Sequence, residues 1–349
     1  MNTDNKENDK DNKIRTAIVG AGLMGFWHAH AARKVGGKVV AVFDIDKTQA
    51  DSLAVKYSSA QSFDSFEKML TETSPNVLHI CTPTKTHKQI AELAIKAGVN
   101  LLIEKPIVQT AEETVALYEL ASRHKVLLCP VHQFVFQDGV RNAKRLLPNI
   151  GRIVHLQANI CSAGGTGLDT NQVATIAEDI LPHPLSLMQT FLGDDFILQD
   201  WVIFCPNSGE LRVSGKARKI SLGIFVSMNS RPTLNSFQIF GTGGTIYLDL
   251  FHGYSVIESG KTTKTRKILH PFDSALRNLS AATLNLGRRS LKNETAYPGL
   301  RRLIDEFYQA IKDGKPSPIT SAEAIAVAQI RDILIKGART SCPPYRNNL

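Results

Sequence analysis

A short apolar strand that runs straight into three spaced glycines constrains this chain more than any other feature. Residues 14–25 read IRTAIVGAGLMG. Ile14, Ala17, Ile18 and Val19 give a run of strand length with no polar face, as in a central parallel strand buried on both sides. Gly20-Ala21-Gly22-Leu23-Met24-Gly25 then spells G-x-G-x-x-G, and a helical pattern follows over Phe26–Lys34.

Each glycine has a mechanical task. Gly20 permits the tight turn, Gly22 lets backbone approach a pyrophosphate, and Gly25 lets helix and strand pack closely. The bare N–H groups of Leu23, Met24 and Gly25, with the helix dipole, suit phosphate oxygens. The next strand, Lys38–Phe43, ends in Asp44, 19 residues past Gly25. A carboxylate there meets a ribose 2′-hydroxyl. Strand, fingerprint, helix and acid in that order predict a dinucleotide site. Asp44 favours NAD, because a 2′-phosphate would face a carboxylate. Lys47 stands close enough in sequence to keep NADP open.

A chain of 349 residues has room for about two domains of roughly 150 residues. No apolar run reaches the roughly 18 residues of a membrane span. The start, MNTDNKENDKDNK, has no apolar core of a secretory signal, and residues 1–13 read as a disordered tail. The five cysteines, Cys81, Cys129, Cys161, Cys205 and Cys342, are odd in number and never spaced C-x-x-C. That usage fits a reducing cytoplasm and argues against a zinc site, so no metal is expected. The net charge of +9 gathers late, in 261–267 and 287–292. Aromatics are not interleaved with these bases, which argues against nucleic-acid binding.

Strand and helix alternate through Lys47–Tyr57, Ser62–Leu70 (helical), Val77–Cys81 (strand), His87–Ala97 (helix), Val99–Ile103 (strand), Glu112–His124 (helix) and Val126–Cys129 (strand). Alternation predicts a parallel, doubly wound sheet. Ligands of such sheets bind beyond the carboxyl ends of the strands. Gly20–Gly25, Asp44, Thr82–Thr84, Glu104–Pro106 and His132–Gln133 therefore fall on one rim. Past residue 131 the rhythm changes to Asp138–Leu147 (helix), Arg152–Ile160 (strand) and Gln172–Leu192, helical but interrupted by Pro182 and Pro184. Strand-like runs at 196–204, 211–216, 219–228, 236–240 and 245–250 predict an antiparallel or mixed open sheet. Helices at Leu300–Lys312 and Ala322–Ile335 close the chain, the second opened by a Thr320–Glu323 capping box. The predicted domains are residues 14–131 and 132–349. Residues 275–291 form an amphipathic pattern. It suits a packing or interface helix, with a membrane-surface helix as the other reading.

GAGLMG, CTPTKTH, EKP, Asp179-x-x-x-His183 and QIFGTGGTIYLDL together resemble the Gfo/Idh/MocA oxidoreductases, over about residues 14 to 340. The resemblance implies an N-terminal Rossmann domain, a C-terminal α/β domain with an open sheet, and a homodimer or homotetramer formed through that sheet. It implies that Lys105 sits beside nicotinamide and substrate hydroxyl, that Asp179 places substrate and that His183 is the acid/base. Thr82, Pro83, Glu104, Lys105 and Gln133 join the glycines and Asp44 as cofactor contacts. His87 either caps its helix or touches cofactor. His132 is either a core histidine or a ligand contact. The chain departs from the family pattern where Gln133-Phe134-Val135-Phe136 replaces an Asn-x-Arg-Phe-like stretch, and where Leu181 and Ser186 stand for a glycine and an acid. These exchanges make the pocket more apolar, and Glu178 is an alternative to Asp179.

The chemistry stands apart from the family. Carbinol oxidation needs a base for the hydroxyl proton, and histidine titrates near neutrality. A nearby ammonium stabilises alkoxide charge. The expected activity is hydride transfer between nicotinamide and a sugar, polyol or related cyclic alcohol or ketone. Two other functions stay open. One is transient use of bound NAD for glycoside cleavage, or imine reduction. The other is a non-catalytic NAD-binding sensor.

Overall fold

The computed structural model describes residues 13–164, 175–176, 178–196, 199–207, 209–260, 263–294 and 296–341. The predicted tail, apart from Lys13, and Cys342 lie outside the described residues. The chain divides into two compact units. The first joins residues up to Val131 with Leu300–Ile325, and the second joins His132–Gly299 with the chain from Ala326.

The first unit is built on a six-stranded parallel sheet: β1 (Arg15–Val19), β2 (Lys38–Phe43), β3 (Gln61–Phe63), β4 (Val77–Ile80), β5 (Asn100–Ile103) and β6 (Leu128–Pro130). Their order is β3-β2-β1-β4-β5-β6, the doubly wound arrangement. Burial explains their composition. β4 is buried at every position and β1 at all but its first, so both faces must be covered. The helices α1 (Leu23–Lys34), α2 (Lys47–Ala54), α3 (Phe66–Thr73), α4 (Thr84–Lys96) and α5 (Ala111–Arg123) alternate with the strands. Polar caps set their starts: Asp46 accepts from Thr48 N–H, Ser65 from Lys68 N–H and Thr110 from Glu113 N–H. The helix expected over Ser62–Leu70 is instead β3 followed by α3. The serine that looked like part of a helix is a strand residue, and Ser65 is the cap that starts the helix proper.

The second unit carries α6 (Asp138–Leu146), α7 (Pro182–Leu192), α8 (Lys264–Lys292) and a seven-stranded sheet. The strands are β7 (Ile153–Cys161), β8 (Gln199–Phe204), β9 (Glu210–Ala217), β10 (Ile220–Ser227), β11 (Leu234–Gly241), β12 (Gly244–Asp249) and β13 (Tyr254–Ser259). They order as β13-β12-β11-β7-β10-β9-β8, antiparallel except for the β7–β10 pair. One face is the core, through Leu156, Leu222, Ile224, Phe237, Ile239 and Leu248. β13 was not anticipated, because Tyr254 and Ser255 open it without an apolar run. α7 begins at the prolines that the sequence pattern treats as interruptions. Proline lacks the N–H that a first turn leaves unbonded anyway.

α9 (Leu300–Asp313) corrects the expected boundary, which assigned 132–349 to one domain. It returns to the first unit, where Leu303, Ile304, Phe307 and Tyr308 are buried and the helix packs on α1. A surface helix with one apolar face joins whichever core offers an uncovered side, and sequence order does not choose it. α10 (Ser321–Ser341) opens on the expected capping box, with Thr320 and Glu323 bonding each other's backbone N–H. Cys81, Cys129 and Cys161 are free thiols, whereas Cys205 is disulfide-bonded, which isolated spacings did not suggest. No helix of the described residues is long and apolar enough to cross a membrane.

Candidate active site

Register builds the rim. Phe43 pairs with Val19, Val19 with Ile80, Ile80 with Ile103 and Ile103 with Pro130, so one row of partners crosses the sheet at the carboxyl ends of its strands. The residues after that row are Asp44, Gly20, Cys81, Glu104 and Val131. Every sequence-predicted cofactor residue of the first unit thus lies at one edge or within the loop or helix turn just beyond it.

Gly20 has φ +95°, and a Cβ there would lie 2.8 Å from the Cys81 carbonyl. At Gly25 a Cβ would sit 1.9 Å from the Gly20 oxygen, so α1 seats against the turn only with hydrogen there. Gly22 differs: a Cβ would meet no protein atom within 4 Å. Its bareness serves no contact of the protein's own. Gly22 also begins α1 without a side-chain cap, so no capping side chain takes up the first N–H groups of the helix, the groups that suit a phosphate. Leu23 is exposed and Met24 half-buried beside them.

Asp44 is aimed by its own loop. Its Oδ2 accepts from Ala21 N–H at 2.7 Å and its Oδ1 from Asp46 N–H at 3.0 Å. Lys47, the cation that kept NADP open, bonds Asp51 and Ser62 instead. These residues fit a dinucleotide with an unphosphorylated ribose.

Thr82 and Pro83 lead into α4, and Thr82 Oγ1 accepts from the Thr86 hydroxyl at 2.8 Å. His87 is buried. Its Nε2 lies 2.7 Å from the Thr82 carbonyl, and its Nδ1 3.0 Å from those of Pro106 and Ile107. The ring ties the Thr82–Pro83 turn to the Lys105–Pro106 loop.

Glu104 opens a buried chain that sequence reading missed. His28 Nε2 lies 3.1 Å from Glu104 Oε1, His28 Nδ1 3.1 Å from His79 Nδ1, and His79 Nε2 3.0 Å from the Tyr308 hydroxyl. Tyr308 meets the Thr16 hydroxyl at 2.6 Å. His28 Nε2–H donates to Glu104, and the other three contacts can run in either direction, each with one donor and one acceptor. Burial alone would push the Glu104 carboxyl up, yet the His28 bond and charge and the Lys105 charge hold it below its ordinary value. Burial, then the His28 charge, holds His79 well below the usual histidine range, so it stays neutral. Lys105 N–H donates to Glu104 Oε2 at 3.1 Å, which fixes the backbone of the predicted catalytic lysine. The available signal was a histidine inside the apolar strand VLHIC; its partner Tyr308 lies 229 residues away.

In the second unit, His183 lies in the first turn of α7. Its ring stacks on Phe134 at 4.3 Å between centroids, and its carbonyl accepts from Ser186 Oγ. Phe134 belongs to the stretch that departs from the family pattern, so the apolar exchange lands on the predicted acid/base. Asp179 precedes α7, with Arg331 Nη2 3.9 Å from its Oδ1. Arg331, on α10, is nearly buried and was not anticipated, since nothing local marks it. Glu178, the alternative acid, is held by Arg339 at 2.9 Å. Gln133 and His132 are buried just after β6, and Gln133 Oε1 has no hydrogen-bond partner among the described residues.

The sequence pattern of the Gfo/Idh/MocA oxidoreductases, described as an NAD-binding Rossmann fold, matches residues 14–132. Over those residues the chain resembles the NAD-binding domain of that family. UDP-N-acetylglucosamine 3-dehydrogenase of Acidithiobacillus ferrooxidans is 36% identical over 148 residues, which are 39% of this chain and 46% of that enzyme. D-glucoside 3-dehydrogenase of Escherichia coli is 29% identical over 46% of this chain and 47% of the enzyme. The matched stretch thus spans about half the length of these curated relatives. Levoglucosan dehydrogenase, solved with NADH and levoglucosan, shares the fold over 94% of this chain and 98% of its own, with a TM-score of 0.77 at 17% identity. The Gfo/Idh/MocA Rossmann domain is an NAD-binding one, in keeping with the glycine geometry.

Proposed function

We propose that the chain is an NAD-dependent oxidoreductase that transfers a hydride between nicotinamide and a carbinol or ketone carbon of a sugar, polyol or related cyclic substrate. The observation that carries the reading is the register row, which sets Asp44, Gly20 and Glu104-Lys105 on one sheet edge. The names of the relatives, dehydrogenases of a nucleotide sugar, a glucoside and levoglucosan, support the substrate class. NAD over NADP is supported by the aimed Asp44 carboxylate and by the engagement of Lys47 with Asp51.

Bound nicotinamide supplies the hydride acceptor. The remaining work falls to the chain. The Gly20–Gly25 turn holds the diphosphate, with Thr82, Pro83 and Gln133 as further contacts. The Lys105 ammonium stabilises charge on the substrate oxygen. His183 removes the hydroxyl proton as the C–H bond breaks, and returns it in the reverse direction. Asp179, oriented by Arg331, places the substrate hydroxyls. We also place the protein in the cytoplasm as a homo-oligomer. Three of the four described cysteines are free thiols, which supports the first part, while Cys205 is disulfide-bonded.

The test is turnover of NAD with a panel of sugars, polyols and cyclic alcohols. Lys105→Ala and His183→Ala should each lower kcat by at least about a hundredfold with NADH still bound. Activity retained in both variants would remove the assignment. A second reading, transient use of bound NAD, is favoured by the Phe134 ring stacked on His183, which makes the acid/base side apolar. Product formation without NADH accumulating in bulk solution would select it.

A further inference from the structure

α8 is amphipathic the wrong way round for a helix that only covers its own domain. Its polar side faces its own unit. Ser274 donates to Glu258 at 2.6 Å, Asn285 and Arg289 donate to the His252 carbonyl, and Lys292 pairs with Asp138 at 2.9 Å. Its apolar side faces out. Leu269, Phe272, Leu276, Leu279 and Leu286 are all more than half exposed, Phe272 at 74% and Leu286 at 67%. A helix that packs on its domain buries its apolar stripe.

The stripe has a specific spacing. Leu269, Leu276, Thr283 and Ser290 recur every seven residues, and Phe272, Leu279 and Leu286 form a second series displaced by three. Those are the a and d positions of a heptad seam over three heptads. A seven-residue repeat is what another helix requires of its partner, by knobs-into-holes packing. A lipid surface asks only for a broad apolar face with a fringe of available cations. Here three of the helix's cations are engaged at home: Arg277 with Asp273 at 3.0 Å, Lys292 with Asp138, and Arg289 with backbone carbonyls.

We propose that α8 is a self-association helix, and that its heptad seam pairs with the same seam of a second copy of this chain. Identical surfaces that are self-complementary close about a two-fold axis, the commonest form of oligomer. Six exposed apolar side chains, with Ile268 flanking the seam, would bury on the order of 600 Å² per partner at roughly 100 Å² each. That approaches the about 800 Å² per side of a standard interface before the polar flanks are counted. Thr283 is the single polar residue among the central seam positions, and its place fixes which turn of one helix lies against which turn of the other. The contact is separate from the sheet-mediated one that the family resemblance implies, and does not depend on the catalytic reading.

The test is the mass of the full chain, with NADH present, by sedimentation velocity and light scattering. The wild type should associate in even numbers. Leu279→Glu with Leu286→Glu should halve the mass, with the melting temperature and NADH affinity preserved, because both side chains are exposed. Thr283→Leu should tighten association at least fivefold. A mass unchanged by the double glutamate variant, or a wild type that stays monomeric at 100 µM, would overturn the proposal. Binding of a monomeric wild type to vesicles of anionic phospholipid, lost in the glutamate variant, would overturn it in favour of a membrane surface.

Discussion

The sheet edge of the first unit and the Asp179–His183 stretch of the second are made by different means. At the edge, backbone does the placing. A single register row sets Asp44, Gly20 and Glu104, and the glycines act through atoms they lack. At Asp179–His183, side chains do the placing. Phe134 stacks on the imidazole, and Arg331 reaches the aspartate from a helix about 150 residues later in the chain. Backbone placement is rigid and general, and suits a ligand whose shape never changes. Side-chain placement is cheap to alter, and suits the part of a site that chooses among substrates.

The contrast breaks most visibly at Gly25. Gly25→Ala puts a methyl 1.9 Å from the Gly20 oxygen. We expect NADH binding to be lost in a fluorescence titration and the unit to be destabilised by about 3 kcal/mol. Equal binding with an unchanged melt would mean that the turn is not rigid.

The next effect is at Glu104. Glu104→Ala removes the acceptor at the end of the His28–His79–Tyr308 chain and leaves the His28 Nε2–H buried without one. Unfolding by urea should show a loss of about 3 kcal/mol. Glu104→Gln keeps an acceptor oxygen and should cost about 1 kcal/mol. Equal losses would show that the carboxylate charge is irrelevant.

The same chain predicts a pH dependence. The His79 pKa is depressed in the folded state, so the unfolded chain binds the extra proton below its ordinary value near 6.5. Stability from this group is full above that pH and falls as pH drops, by about 1.4 kcal/mol per unit until the folded pKa is reached. The Glu104 pKa is lowered too, so its contribution is present above the unfolded glutamate value and is lost on further acidification. The melting temperature should therefore fall from pH 7 to pH 5, and His79→Gln should flatten that slope. A melt independent of pH across this range would contradict the buried neutral histidine.

The smallest effect is on the second unit's side of the comparison. Arg331→Met keeps the buried volume and removes the guanidinium beside Asp179. We expect KM for substrate to rise on the order of tenfold, with NADH affinity unchanged. A change in NADH affinity instead would move Arg331 to the cofactor's account.

These contrasts also explain what was legible in the sequence. The turn at Gly20–Gly25 and the place of Asp44 on the sheet edge were readable because a feature made by backbone is contiguous and uses residue types that little else demands. The parallel sheet was readable because strands buried on both faces, such as VLHIC and NLLI, leave an unbroken apolar signature. β3 was missed because three residues at a sheet edge carry no period, and β13 because its first residues are polar. Arg331 and Tyr308 were invisible for a different reason. Each completes a group whose other members lie well over a hundred residues away, and no local spacing records that. α9 was placed correctly as a helix and assigned to the wrong unit, since an apolar face states that it will be buried but not against what. The extent of α8 was underread, because an outward-facing apolar seam has the same pattern as an inward-facing one.

The central claim is that the sheet edge is shaped for a dinucleotide, and Gly22 tests it most directly because the protein itself has no use for the missing side chain there. Calorimetric titration of NADH into wild type and Gly22→Ala, with melting curves alongside, separates ligand fit from packing. The account predicts one NADH per wild-type chain, and at least a tenfold weaker affinity in the variant at an unchanged melting temperature. Equal affinity in the two proteins, or no binding by well-folded wild type, would contradict it.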